Sequence, residues 1–197
     1  KRFPTTIGGY GGSFRKWLRT DGTDSYGSYG NGSAMRVGPV VFFSDSLEMC
    51  ERLARNSALA THDHPEGVKG AVYTALMAYL YKAGEKDPVS IISKQFGIAY
   101  NRSEGYDHFD AICQETMPLA LYIFEKHKGF EEAVFAAVTW PHGDSDTLGA
   151  IVGTMAQFRD GVPEHLVAKM YSLVQPELKP LLLEYLHFVK DKESYTD

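Results

Sequence analysis

The sequence predicts an all-α protein, and three observations carry that prediction. Apolar residues recur at spacings of three and four along most of the chain, as they do on one face of a helix. No stretch alternates apolar and polar residues in the manner of a half-buried strand. Helix-start signatures, an acidic residue followed three positions later by glutamate, stand before two of the apolar runs. No internal repeat of solenoid length occurs. With 197 residues, 44% of them hydrophobic, the chain can bury a sizeable core, and one domain over residues 1–197 is expected.

Residues 1–33 are rich in glycine, tyrosine and serine around a short amphipathic piece, Phe14-Arg15-Lys16-Trp17-Leu18. Gly27, Gly30 and Gly32 flank Tyr26, Tyr29 and Asn31, which reads as a loop whose backbone comes close to something. A helix-compatible segment starts at Ser33-Ala34-Met35, so the loop is placed either as plain surface or to present amides to an anion. Asp45-Ser46-Leu47-Glu48 reads as a capping box before Leu47, Cys50, Leu53, Ala54 and Ala58. Asp63-His64-Pro65-Glu66 is a second box, with proline in the first turn, where its missing amide costs nothing. The apolar run behind it continues to Gly84 and predicts the longest, most central helix. Further helices are expected over residues 88–98, 112–129, 131–139, 163–174 and 176–189, with 190–197 fraying. Residues 101–110 are polar and aromatic without a period; Tyr106, His108 and Phe109 either pack under this loop or cover a pocket.

Composition excludes several classes of function. No apolar run reaches membrane-spanning length, and no apolar stretch follows Lys1-Arg2-Phe3-Pro4 as it would in a signal peptide. Two cysteines, Cys50 and Cys113, both inside helical patterns, argue against a disulfide framework and for a reducing, cytoplasmic setting. A formal net charge of −5 argues against a nucleic-acid partner. Because the first residue is lysine rather than methionine, a missing N-terminal portion is expected.

Chemistry concentrates in Gly143-Asp144-Ser145-Asp146-Thr147, directly before the apolar run Leu148, Ile151, Val152, Met155 and Phe158. Asp144, Asp146 and Thr147 thereby crowd a helix N-terminus. As a cap they would satisfy orphan amides and complement the positive end of the dipole. As ligands, their hard oxygens suit Mg²⁺. Gly149 and Gly153 leave a smooth strip on the same helix and predict that another helix approaches it closely. Spacing alone favours the cap, but two acids heading such a buried helix call for a counterion or a metal, which leaves both readings open. Thr61-His62 stands just before the central helix, and His62 with His64 brackets Asp63, an arrangement that suits structural hydrogen bonding or an anionic ligand equally.

Four motifs follow one another in order: Asn31-Gly32-Ser33-Ala34-Met35-Arg36-Val37, Thr61-His62-x-His64-Pro65-Glu66, Phe109-Asp110-x-x-Cys113-Gln114-x-x-x-Pro118 and Gly143-Asp144-Ser145-Asp146-Thr147. Together they resemble the ADP-ribosylglycohydrolase family, the class that includes dinitrogenase-reductase-activating glycohydrolase. Phe158-x-x-Gly161-Val162-Pro163-Glu164 is similar to the segment that follows the family's aspartate helix, so the resemblance covers nearly the whole chain. It implies a compact, orthogonal multi-helix domain that hydrolyses the glycosidic bond between ADP-ribose and a modified protein side chain, using two Mg²⁺ ions. It further implies that Asp144, Asp146 and Thr147 are the C-terminal half of the metal-ligand set, with Asp146 touching both ions. Asn31, Gly32, Ser33, Ala34 and Met35 would cradle the distal ribose and diphosphate, with His62 against the same ligand. The implied partner is an ADP-ribosylated protein or ADP-ribose.

The departures from the family are as specific as the match. The other half of its metal site, a Ser/Thr-Asp-Asp motif near the N-terminus, and the catalytic glutamate several members carry there are absent from this sequence. Both are expected in a preceding segment or a complementing N-terminal chain. Trp140-Pro141-His142-Gly143 stands, with an extra residue, where the family has Gly-Gly, and the loop between Gln95 and Phe109 is shorter than usual. Two alternatives to a hydrolase therefore stay open: a non-catalytic ADP-ribose-binding protein, or a structural protein on the same scaffold, that has lost half of the metal site.

Overall fold

The computed structural model describes residues 9–20, 24–105 and 107–194, with side chains as far as residue 189. Lys1-Arg2-Phe3-Pro4, Tyr106 and the last three residues, for which the sequence raises expectations, lie outside the described residues. The described chain is all-α: α1 Gly12–Arg19, α2 Gly32–Met35, α3 Val40–Phe43, α4 Leu47–Leu59, α5 Pro65–Lys82, α6 Pro88–Phe96, α7 Cys113–Lys126, α8 Phe130–Val138, α9 Ser145–Asp160, α10 Glu164–Leu173 and α11 Lys179–Ser194. The one extended feature among the described residues is an isolated antiparallel bridge between Gly30 and Ile112. No helix among the described residues is long and apolar enough to cross a membrane.

The chain divides into two compact units, Lys1–Asp160 and Gly161–Asp197. In the second unit α10 and α11 are joined by a short turn in which Leu178 N donates to Gln175 O. The backbone of α11 continues to Ser194, beyond the expected end near Val189. The first unit holds every candidate site residue.

Its centre is α5. From Gly67 through Ala78 nearly every residue of this helix is buried, including Tyr73, Leu76 and Met77. A helix that is apolar all round has no solvent face to keep and becomes the axis on which the others pack. α4 and α9 lie against it, and α8 packs on α9. The two glycines expected to leave a smooth strip on α9 do so: a Cβ on Gly149 would meet Val138 Cγ1 at 2.7 Å, and one on Gly153 would meet Val134 Cγ2 at 3.5 Å. At the far end of α9, Arg159 closes α7 by donating to Phe124 O at 2.5 Å and His127 O at 2.9 Å, with Asp160 as its ion pair at 2.6 Å. Carbonyls orphaned at a helix C-terminus are thus satisfied by a neighbouring helix.

Both capping boxes shift by one residue. α4 is capped by Ser46, whose side chain accepts from Met49 N, and not by Asp45. α5 is capped by His64, whose Nδ1 accepts from Glu66 N at 3.2 Å, and not by Asp63. The physical reason at α5 is competition: the Asp63 carboxylate accepts from Ser25 Oγ at 2.6 Å and Gly27 N at 2.7 Å, so it fastens the glycine-rich loop instead of the helix.

α7 crosses α5 at Gly70, where a Cβ would lie 2.5 Å from Cys113 Sγ and 3.2 Å from Cys113 Cβ. Gly70→Ala is expected to destabilise the fold by about 1–3 kcal/mol through overpacking. Urea unfolding should show Cys113→Ala recovering part of that loss in the double variant; an additive result would mean that the two residues do not share the crossing.

Candidate functional site

The site begins with how the glycine-rich loop is held. Asn31 N donates to Ala111 O at 2.9 Å and Cys113 N donates to Tyr29 O at 3.0 Å, which tie the loop to the start of α7. On the other side α5 comes so close that a Cβ on Gly67 would sit 2.6 Å from Ser28 O. Pinned between α5 and α7, the loop turns the Asn31 side chain inward. It is 6% exposed, and its Nδ2 donates to Thr116 Oγ1 at 3.0 Å and to Asp144 Oδ2 at 2.8 Å. That pair of bonds joins the loop, α7 and the head of α9.

Asp144 stands just before α9, and its backbone oxygen accepts the helix's first bond, from Leu148 N at 2.8 Å. Its carboxyl group is pushed above the ordinary aspartate range, first by burial and then by the neighbouring Asp146 carboxylate, against the opposing bond from Asn31. Asp146 is exposed, and its Oδ1 accepts from Thr147 N at 3.0 Å. Thr147 is buried, and its hydroxyl contacts Met35 Sδ at 3.5 Å. A cavity of about 20 Å³ opens beside Asp144, lined by Asp110, Glu115, Thr116 and Trp140 among others, and Glu115 Oε2 is a buried oxygen without a hydrogen-bond partner among the described residues.

Two crowded carboxylates and a threonine hydroxyl are hard-oxygen donors of the kind Mg²⁺ takes. Asp144 is half-buried beside the Asp146 carboxylate, a placement in which a bound cation would favour the ionised form of both acids. The set is short, however: no three His, Cys, Asp or Glu side chains among the described residues are disposed to hold a metal. Asp144, Asp146 and Thr147 supply hard oxygens and do not by themselves complete a metal site.

A second cavity, of about 470 Å³, lies on the other side of the loop and has the opposite character. Tyr10, Phe14, Tyr26, Gly32, Arg36 and His62 line it, and no described lining residue carries a carboxylate. His62 is 7% exposed and its ring abuts Gly32, where a Cβ would meet Nε2 at 3.4 Å. Arg36 Nη2 donates to Thr61 Oγ1 at 2.9 Å, and Thr61 Oγ1 lies 2.8 Å from His62 Nδ1. Arg36, Thr61 and His62 thus form one hydrogen-bonded chain along the cavity wall. Burial, reinforced by the Arg36 charge, lowers the His62 pKa to about 4.

The structure thus gathers Asn31, Asp144, Met35 and Thr147 by direct contact, and Gly32, Met35 and His62 around one cavity. Ser33 and Ala34 turn elsewhere: Ser33 Oγ donates to Gly67 O at 2.7 Å, and Ala34 is 0% exposed in the core. Their side chains support the loop from below. Sequence reasoning missed Thr116 and singled out no role for Arg36. Both lie inside quoted motifs, and Arg36 is the one cation in its motif. His142 adopts φ +60°, a left-handed conformation rare outside glycine. Gly143 cannot be replaced in the same way, because a Cβ there would meet Leu148 Cδ1 at 2.7 Å.

The chain is thus an all-α domain in which a glycine-rich loop is hydrogen-bonded to an acid-headed helix. The chain belongs to the ADP-ribosylglycohydrolase family, whose model matches residues 4–191. Among curated proteins it is similar to ADP-ribosylhydrolase ARH3 of Homo sapiens and of Bos taurus, each 37% identical over 71 residues, and to that of Mus musculus, 35% identical over 71 residues. The match covers 36% of this chain and 20% of the human and bovine proteins, so it spans about a fifth of their length.

His62 gives a signed pH prediction. Its folded pKa, about 4, lies below the unfolded value near 6.5, so the unfolded chain binds the extra proton between them. This stability is fully present above about pH 6.5 and is lost as pH falls through about 4, to a total of about 3 kcal/mol. Urea titrations over that range should show a shallower pH slope for His62→Gln than for the parent chain. For His142→Gly, relief of the left-handed backbone should outweigh the added chain entropy and raise stability by a few tenths to about 1 kcal/mol, read as a shift in the unfolding midpoint.

Proposed function

We propose that this chain takes part in hydrolysing the glycosidic bond between ADP-ribose and a modified protein side chain. The observation that carries the reading is the Asn31 Nδ2 to Asp144 Oδ2 bond at 2.8 Å, which joins the cation-bearing cavity to the acidic head of α9. A ligand with an anionic diphosphate at one end and a reacting ribose at the other suits two cavities of opposite polarity on either side of one side chain. Arg36 and His62 Nε2 would hold the diphosphate end, and the Gly30 and Gly32 backbone lets it come close. Asp144, Asp146 and Thr147 would hold Mg²⁺, which when bound positions ribose hydroxyls and polarises the bond or a water. Asn31 keeps Asp144 oriented, and the buried His62 stays neutral at physiological pH.

The remaining ligands belong, on this reading, to a complementing segment or chain that carries the family's Asp-Asp pair. A second reading is favoured by the short ligand set: a protein that binds ADP-ribose without turning it over. Release of ADP-ribose from an ADP-ribosylated protein in millimolar Mg²⁺ distinguishes them, with the complementing segment supplied. Asp144→Asn with Asp146→Asn is expected to lower release by about 100-fold or more. Undiminished release by that double variant would overturn the hydrolase reading. Mg²⁺-independent ADP-ribose binding with no release would establish the second.

A further inference from the structure

We propose that the small cavity beside Asp144 holds the water that attacks the glycosidic carbon, and that Glu115 of α7 takes the proton of that water while Thr116 orients it. This rests on the hydrolase reading above. It adds a proton acceptor from within this chain, at one of the unspecified positions of the third motif.

The first observation is a pair of unmet polar groups on one wall. Glu115 Oε2 is buried and accepts no hydrogen bond among the described residues. Thr116 is 4% exposed; its Oγ1 accepts from Asn31 Nδ2 at 3.0 Å, and its own proton has no acceptor among the described residues. Both residues line the cavity, so a buried acceptor and a buried donor border the same space. Leaving either unmade is costly in a protein interior.

The second observation is size. The cavity measures about 20 Å³, and about 10–15 Å³ is what a single water needs. One water there resolves both unmet groups: it accepts from Thr116 Oγ1 and donates to Glu115 Oε2, and its second lone pair stays free to attack. The described acids are not disposed to hold a metal ion by themselves, which favours water over a cation as the occupant of this space.

The third observation explains why Glu115 is available. It is the third residue of α7, where a glutamate commonly reaches back to the amide of the capping residue. Here that amide, Ile112 N, donates to Asp110 Oδ1 at 2.8 Å, so Glu115 is released from the cap. No lysine or arginine lines the cavity among the described residues, and the carboxylate is not held there in an ion pair. In the step itself the water loses one proton to Glu115 Oε2 as its oxygen bonds to the anomeric carbon. The bond from that carbon to the modified side chain breaks, and its electron pair leaves with the side chain, which takes up a proton from solvent. Glu115 then returns its proton to solvent, so one water is consumed and nothing is oxidised or reduced.

The test is release of ADP-ribose from an ADP-ribosylated protein, with Mg²⁺ and the complementing segment supplied. Glu115→Gln, close to isosteric, should lower kcat by about 100-fold or more and leave KM within about threefold of the parent. Glu115→Ala should fall as far, and added formate, a small carboxylate that fits the emptied space, should restore its rate by about tenfold and leave Glu115→Gln unchanged. Helical ellipticity equal to the parent's shows that each variant is folded. A crystal structure of the parent chain should show one water in reach of both Glu115 Oε2 and Thr116 Oγ1. An empty cavity, a Glu115→Gln rate within about twofold of the parent, or a loss in Glu115→Ala that formate does not relieve overturns the proton role while the hydrolase reading stands. If the parent with its complementing segment releases no ADP-ribose, the hydrolase reading falls and the proton role falls with it.

Discussion

The structure of the site depends on one buried side chain. Asn31 spends its amide hydrogens on Thr116 of α7 and Asp144 at the head of α9, and it hangs from a loop that α5 and α7 hold on both sides. A buried amide left without partners is costly, so the loop, α7 and α9 can occupy only the arrangement that satisfies it. Shape at this point is fixed by polar bonding, whereas the surrounding helices are positioned by apolar packing. The glycines make this possible. At Gly67 and Gly70 a β-carbon would collide with Ser28 O and Cys113 Sγ, so the central helix can approach the loop and α7 only because those positions are bare.

The two cavities near that loop differ in polarity. One is lined by Arg36, His62 and glycine backbone; the other is lined by Asp110, Glu115 and Asp144. Such a division is expensive to maintain in a small domain, because each group loses hydration without gaining an opposite charge. Its effects are visible in both directions. The His62 pKa falls because burial and Arg36 disfavour a second cation, and the Asp144 pKa rises because burial and Asp146 disfavour a second anion. A ligand that is anionic at one end, together with a cation at the other, would relieve both at once.

The helical architecture was legible in the sequence because period and glycine spacing report directly on packing: the central α5 and the strip of Gly149 and Gly153 appear where the pattern puts them. What local pattern could not resolve was competition for a polar group. Asp63 has the spacing of a cap and is used by Ser25 and Gly27, so His64 caps α5 in its place. Ser33 and Ala34 share the loop's motif with Asn31 and Gly32, yet a helical turn begins there and carries their side chains into the core. Thr116 was silent because its partner lies 85 residues away in sequence.

The acidic head of α9 shows why cap and ligand are not exclusive roles. Asp146 accepts from the amide of Thr147, while the Asp144 carboxylate accepts from Asn31 and its backbone oxygen starts the helix. Each carboxylate therefore keeps oxygen lone pairs that these bonds do not use. Because Asn31 and the helix fix the carboxylates beforehand, a hard cation arriving there would meet oriented oxygens and lose little to reorganisation. The strained backbone at His142 and the tight fit at Gly143 lie immediately upstream, so the approach to the cluster is rigid by conformation and by contact. Rigidity of that kind is unnecessary for a simple helix cap, which forms on almost any surface helix, but it is what a site must have if two acids are to be held close together against their mutual repulsion.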